Sequence, residues 1–251
     1  MQIQTGIKMW LAVALLFTGQ AVLAGGGKTH WGYTGHTGPA HWGELAAEYA
    51  LCKTGKQQSP INIASPKPAK LPAIEFHYQP SMLEVINNGH TIQVNYAPGS
   101  YIVANGKRYD LLQFHFHTPS EHEINGKPAD MVAHLVHKAK DGQLGVVGVL
   151  MNRGQANPEL VKIQDNMPTQ HGERKAAPIK IDATQLLPRD RSYYQYPGSL
   201  TTPPCSEGVN WMVLKTASPA SASQVAAFTA VLHKNARPVQ PLSGREIRVS
   251  K

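Results

Sequence analysis

Residues that alternate apolar with polar, or run apolar throughout, crowd the middle of this chain: Thr91–Tyr96, Tyr101–Ala104, Leu111–His117, Met131–His137 and Leu144–Met151. Such runs predict half-buried or fully buried strands. Asn88-Gly89, Asn105-Gly106, Asn125-Gly126 and Asp141-Gly142 punctuate the region. These dipeptides suit tight turns because their residues tolerate a left-handed backbone. The pattern reads as an antiparallel meander whose two histidine-bearing strands, Leu111–His117 and Met131–His137, are neighbours. Elsewhere the periodicity changes. Gln224–Leu232 carries Val225, Phe228 and Val231/Leu232 at helical spacing, with Ser221 or Ser223 available as N-cap. Asn152 to Arg191 is polar and proline-interrupted, with room for short helices and extended pieces only. Gly25 to Trp42 has no clean period, yet Trp31, Tyr33 and Trp42 would be exposed unless it packs on the body. Tyr196 to Pro204, with three prolines, reads as a rigid loop. Without repeats or low-complexity tracts, one strand-dominated α+β domain over residues 25–251 is the economical organisation.

The N-terminus adds a location. Lys8 is the only charge before Lys28, Met9 to Leu23 is apolar, and Val22-Leu23-Ala24 ends in a small residue. Residues 1–24 thus read as a signal peptide, too short and wrongly flanked for a membrane span. Export to the periplasm or medium makes a disulfide the expected state of Cys52 and Cys205, the only cysteines. The net charge of +8 is scattered, without a basic run or an aromatic–basic stripe, so nucleic-acid binding has little support.

Candidate chemistry lies in Gln113-Phe114-His115-Phe116-His117. On a strand, His115 and His117 share one face while Phe114 and Phe116 face the core. His134 on the next strand could bring a third imidazole. Three histidines around an open position suit catalytic zinc, whereas structural zinc is usually closed by four cysteine-rich ligands. Taken singly, each histidine is better read as a hydrogen-bonded core residue; the pair on one strand with a third on the next brings the two readings level.

Further motifs narrow the choice: Gln58-Ser59-Pro60-Ile61-Asn62-Ile63, Asn87-Asn88-Gly89-His90, Ser120-Glu121-His122, His134-Leu135-Val136-His137, the Tyr196–Pro204 segment and Asn235-Ala236-Arg237-Pro238-Val239-Gln240-Pro241. In that order, with the histidine strand, they resemble the α-class carbonic anhydrases, most of all the exported bacterial ones. The resemblance implies a central twisted, mostly antiparallel sheet of about ten strands with short peripheral helices. It implies Zn2+ held by His115, His117 and His134, and hydration of carbon dioxide to bicarbonate by a zinc-bound hydroxide. Thr201 and Glu121 would orient that hydroxide, and His90 would shuttle the proton through water ordered by Tyr33, Asn88 and Gln93. Val136, Val146, Leu200 and Trp211 would wall the carbon dioxide site, and Thr202 would hold bicarbonate. Gln113 and the Asn235 carbonyl would brace His115 and His117, while His122 and His137 match buried structural positions. A homodimer is a further expectation from exported relatives.

One residue departs from the family pattern. Val132 stands where a glutamate commonly braces the third ligand, and it cannot accept a hydrogen bond. The main rival is a non-catalytic carbonic-anhydrase-like binding protein, but such proteins typically lose a ligand histidine. A metallo-β-lactamase would need an aspartate where Pro119 stands, and no H-E-x-x-H occurs.

Overall fold

A computed structural model describes residues 29–250. The expected signal peptide, residues 1–24, lies outside the described residues. The described chain forms one large sheet and a small three-stranded one of Asn62–Ile63, Glu123–Ile124 and Lys127–Pro128; the main strands of the large sheet are β1 (Ser81–Asn87), β2 (Ile92–Asn95), β3 (Lys107–His117), β4 (Met131–Lys138), β5 (Leu144–Arg153), β6 (Arg174–Ile181), β7 (Tyr193–Ser199) and β8 (Glu207–Leu214). In space the order is β6-β1-β2-β3-β4-β5-β8-β7, continued by Arg248–Val249 and Lys67–Pro68. That path has ten strands, and three short ones join it from the side, making thirteen in all. Most neighbours are antiparallel; β5 runs parallel to β8 and to Ser218–Ala220, and Arg248–Val249 runs parallel to Lys67–Pro68. No helix among the described residues is long and apolar enough to cross a membrane.

The turn dipeptides fall where expected. Asn105 (φ 51°) and Gly106 (φ 75°) close the hairpin from Tyr101–Ala104 into β3 with two left-handed residues. β4 and β5 are buried along nearly their whole length because both faces of the sheet are covered. One face carries Phe114, Phe116, Ala133, Leu135, Val147 and Val149 into the larger core. The other carries Val132, Val136, Val146 and Leu150 into a second cluster with Ile61, Ile63 and Trp211. Helix α1 spans Pro158–Asp165 and helix α2 spans Ala222–Leu232. Of the two candidate serines, Ser221 caps α2, in a reciprocal box with Gln224.

The segment read as a rigid loop is corrected in its first half. Tyr196 to Ser199 completes β7, with Pro197 opposite Asn210 of β8. The proline is tolerated because the strand on the other flank pairs only with Tyr194 and Gln195. Thr201 and Thr202 remain outside the strands. The segment before Trp42 does pack on the body, through Trp31, Tyr33 and the fully buried Trp42.

Candidate metal centre and cleft

His115 and His117 end β3, and His134 of β4 pairs directly opposite His115. The two-residue period turns all three rings to one face. Behind them, Phe228 of α2 packs on Phe116 with centroids 4.6 Å apart. The rings converge so that one potential ligand atom from each lies within 4.8 Å of the others. His115 Nδ1 donates to Gln113 Oε1 at 2.9 Å, and His117 Nδ1 donates to the Asn235 carbonyl at 2.7 Å. Each bond places the proton on Nδ1 and leaves Nε2 as the free lone pair. Burial, aided by His117, holds His115 well below the usual imidazole range; burial with His117, His115 and His122 does the same for His134. Neutral imidazoles are the form a metal binds. His117 Nε2 is buried without a hydrogen-bond partner, as a nitrogen reserved for an ion would be. These donors fit an open, catalytic type of zinc site.

The third imidazole is placed differently. His134 Nδ1 faces the cluster, 3.8 Å from Glu121 Oε2, and its Nε2 is buried without a partner. Val132, two residues earlier on the same face and fully buried, supplies no acceptor. His122 Nδ1 is likewise unpaired. The His122 and His134 rings lie 6.1 Å apart and both pack on Trp211, at 4.6 and 4.9 Å. His122 Nε2 bonds the Tyr196 hydroxyl at 2.7 Å, and His137 bonds Tyr78 and the Gly145 carbonyl. Both are buried structural histidines, as expected.

Glu121 lies 3.6 Å from His117 Nε2 and accepts the Arg237 backbone N–H at 2.9 Å on Oε1. Burial pushes its carboxyl above the usual range, while His117, the Thr201 hydroxyl and the Arg237 N–H pull it back. The Thr201 approach falls short of an ordinary hydrogen bond, since Oε2 has no partner. The loop bearing Thr201 and Thr202 is clamped from several sides. The Cys52–Cys205 disulfide ends it, Cys205 N–H donates to the Thr202 carbonyl, and Trp211 Nε1 donates to Ser199 O.

Arg237 was quoted in a motif but given no role by the sequence. It is buried, and its guanidinium donates to Gln58 Oε1, Ser59 O and Cys52 O, so one residue links the disulfide to Glu121. No local pattern announces this, because every partner lies more than a hundred positions away in the sequence.

Above the triad, Trp31, Tyr33, Asn88, His90, Gln93 and Thr202 line a cleft of about 140 Å³ together with Gln113, His115 and His117. A larger cavity of about 650 Å³ lies elsewhere, between β1, β2 and β6, away from the histidines. His90 stacks on Trp31 with centroids 3.6 Å apart, and burial, then His171 and His30, lower it to about 4. Burial and the Glu121 charge push the Tyr33 phenol up, and its hydroxyl has no partner. Two of the polar positions have duties within the protein. Asn88 Oδ1 accepts from the N–H groups of His90 and Thr91, and Gln93 Nε2 donates to Asn95 Oδ1. Val136, Val146 and Trp211 gather in one buried cluster with Leu200 packed against it.

The eukaryotic-type carbonic anhydrase family matches residues 37–251. A carbonic anhydrase of Neisseria gonorrhoeae is 48% identical over 242 residues, covering 96% of each chain. One from a Nostoc species is 47% identical over 222 residues, 86% of this chain and 84% of its own. Among solved structures, the α-carbonic anhydrase of Thermovibrio ammonificans in complex with sulfanilamide matches with a TM-score of 0.86. It is 48% identical, and the match covers 88% of this chain and 100% of that one. On sequence and on fold alike, the chain belongs to the eukaryotic-type, or α, carbonic anhydrase family.

Proposed function

We propose that this chain is an exported zinc enzyme that reversibly hydrates carbon dioxide to bicarbonate and a proton. The observation that carries the reading is the buried triad of imidazoles set beside a carboxylate that a backbone N–H fixes in place. His115 and His117, through Nε2, and His134, through Nδ1, would hold the ion. Zinc bound there supplies the Lewis acidity that makes water nucleophilic near neutral pH, a principle for which carbonic anhydrase is itself the standard illustration.

The protein's own groups do the rest. Glu121 and Thr201 orient the attacking oxygen, an effect of positioning. Val136, Val146, Leu200 and Trp211 form an apolar wall suited to a small nonpolar substrate, and Thr202 offers a hydroxyl to bicarbonate. The His90 ring accepts the released proton at a nitrogen and gives it up to solvent, through water held by Tyr33, Asn88 and Gln93. The disulfide supports an oxidising compartment, the periplasm or the medium. Retention of all three histidines with Glu121 and Thr201 argues against a non-catalytic binding role.

Stopped-flow hydration of carbon dioxide, with zinc quantified on the same sample, tests this. The expected result is activity at one zinc per chain, with both lost in His134→Ala. Full zinc occupancy without hydration would overturn the reading.

A further inference from the structure

His90 follows the Asn88-Gly89 turn, and that turn is tied to a loop from much further along the chain. Asn87 N–H donates to Glu173 O at 3.0 Å, Gly172 N–H donates to Asn87 O at 2.8 Å, and Asn87 Nδ2 donates to Pro168 O at 3.3 Å. These bonds seat the ring of His171 on Gly89. A Cβ built on Gly89 would meet that ring at 2.6 Å, so a larger residue there would displace it. Gly89 also has φ +84°, a left-handed backbone that glycine accepts without strain. His171 is exposed, while His90 is half-buried with one face on Trp31. The charged group of the same loop is Glu173, whose carboxylate accepts the Gln170 N–H at 3.4 Å; at the start of β6, Arg174 pairs with Glu84 and Lys175 lies 3.7 Å from Glu173. His30 of the N-terminal segment also bears on His90 electrostatically.

We propose that His171 is an outer relay residue, taking protons from His90 and releasing them to bulk buffer. The proposal rests on the carbonic anhydrase reading. A proton leaves a ring nitrogen of His90, crosses solvent and binds a ring nitrogen of His171. It then passes to buffer base, which leaves both imidazoles neutral. Only N–H and O–H bonds form and break. Charge on one ring opposes charge on the other, so the relay carries one proton at a time.

The test is steady-state hydration by the zinc-loaded protein and its His171→Ala and His171→Gln variants, in dilute and in concentrated imidazole buffer. In dilute buffer kcat should fall about threefold or more, short of the 10²–10⁴ that a primary acid–base group contributes. The ratio kcat/KM should stay unchanged, and concentrated imidazole should restore kcat. Equal kcat for parent and variants at every buffer concentration overturns the relay. So does a parallel loss of kcat and kcat/KM, which would mark a structural role. A parent that binds zinc but does not hydrate carbon dioxide overturns the carbonic anhydrase reading itself, a result distinct from both.

Discussion

Replacing Val132 with glutamate puts the proposed third ligand, His134, to a quantitative test. His134 Nε2 and His122 Nδ1 are both buried and unpaired, on neighbouring rings that both pack against Trp211. Val132 points to the same side of β4 as His134, amid Ile61, Ile63 and Leu150. A carboxylate at 132 would accept from His134 and fix its orientation. Outer partners of this kind typically alter metal affinity by about 10–100-fold, or about 1.4–2.8 kcal/mol. The same carboxylate without metal is a charge placed in an apolar cluster, at a cost of several kcal/mol. Val132→Glu should therefore lower the melting temperature of the apoprotein yet enlarge the stabilisation that zinc confers. Zinc dissociation, followed by chelator competition, should slow by about tenfold or more. Val132→Gln, a neutral acceptor of similar shape, separates hydrogen bonding from charge and should show a smaller effect of the same sign. Dissociation unchanged in both variants would refute the reasoning, and would mean that packing against Trp211 alone orients the third imidazole.

Three further outcomes follow from the geometry. The disulfide spans 153 residues, for which the chain-entropy relation gives about 5 kcal/mol as an upper figure; Cys52→Ser with Cys205→Ser should lose much of that in urea denaturation, and a loss below about 1 kcal/mol would contradict it. Burial holds His137 at about 4 against an ordinary 6.5. The folded-state ring therefore stays neutral while that of the unfolded chain takes up a proton, so the stability this residue contributes is full above pH 6.5 and falls by about 1.4 kcal/mol per pH unit toward pH 4. His137→Gln should flatten that part of the stability–pH curve, and an unchanged slope would remove His137 as its source. Trp31→Ala should raise the His90 titration midpoint from about 4 toward 6.5 by opening the stacked face, read by NMR; a fixed midpoint would show that other groups bury the ring.

The histidine strands were legible because a two-residue period is a local signal, and His115, His117 and His134 needed only that period and one hairpin to meet. β1 was not foreseen. It does alternate, with Leu83 and Val85 inside, but Met82 and Ile86 on the outer face blur the pattern. β6 escaped for the opposite reason. It is a solvated edge strand with Pro178 and a register shift, so no apolar face needed encoding. β7 was hidden by Pro197, whose rule against strands lapses where one flank is unpaired. The roles of Arg237 and His171 were beyond reach because they depend on contacts between segments far apart in the chain. The bracing of His115 and His117 came through the family resemblance, and Gln113 and the Asn235 carbonyl occupy those places.

Asn235 bonds four partners at once: through its own carbonyl it braces His117, through Nδ2 it holds the carbonyls of His90 and Phe116, and through Oδ1 it receives the Thr118 N–H. Arg237, two residues on, fixes Glu121. A ribosome delivers both about a hundred residues after His134. By then β3 and β4 have long been synthesised, and their three imidazoles can already face one another. The nascent chain thus holds its three imidazoles before it holds all the parts that align them, and a fragment ending short of Asn235 would keep Gln113 against His115 but lack the groups that brace His117 and Glu121.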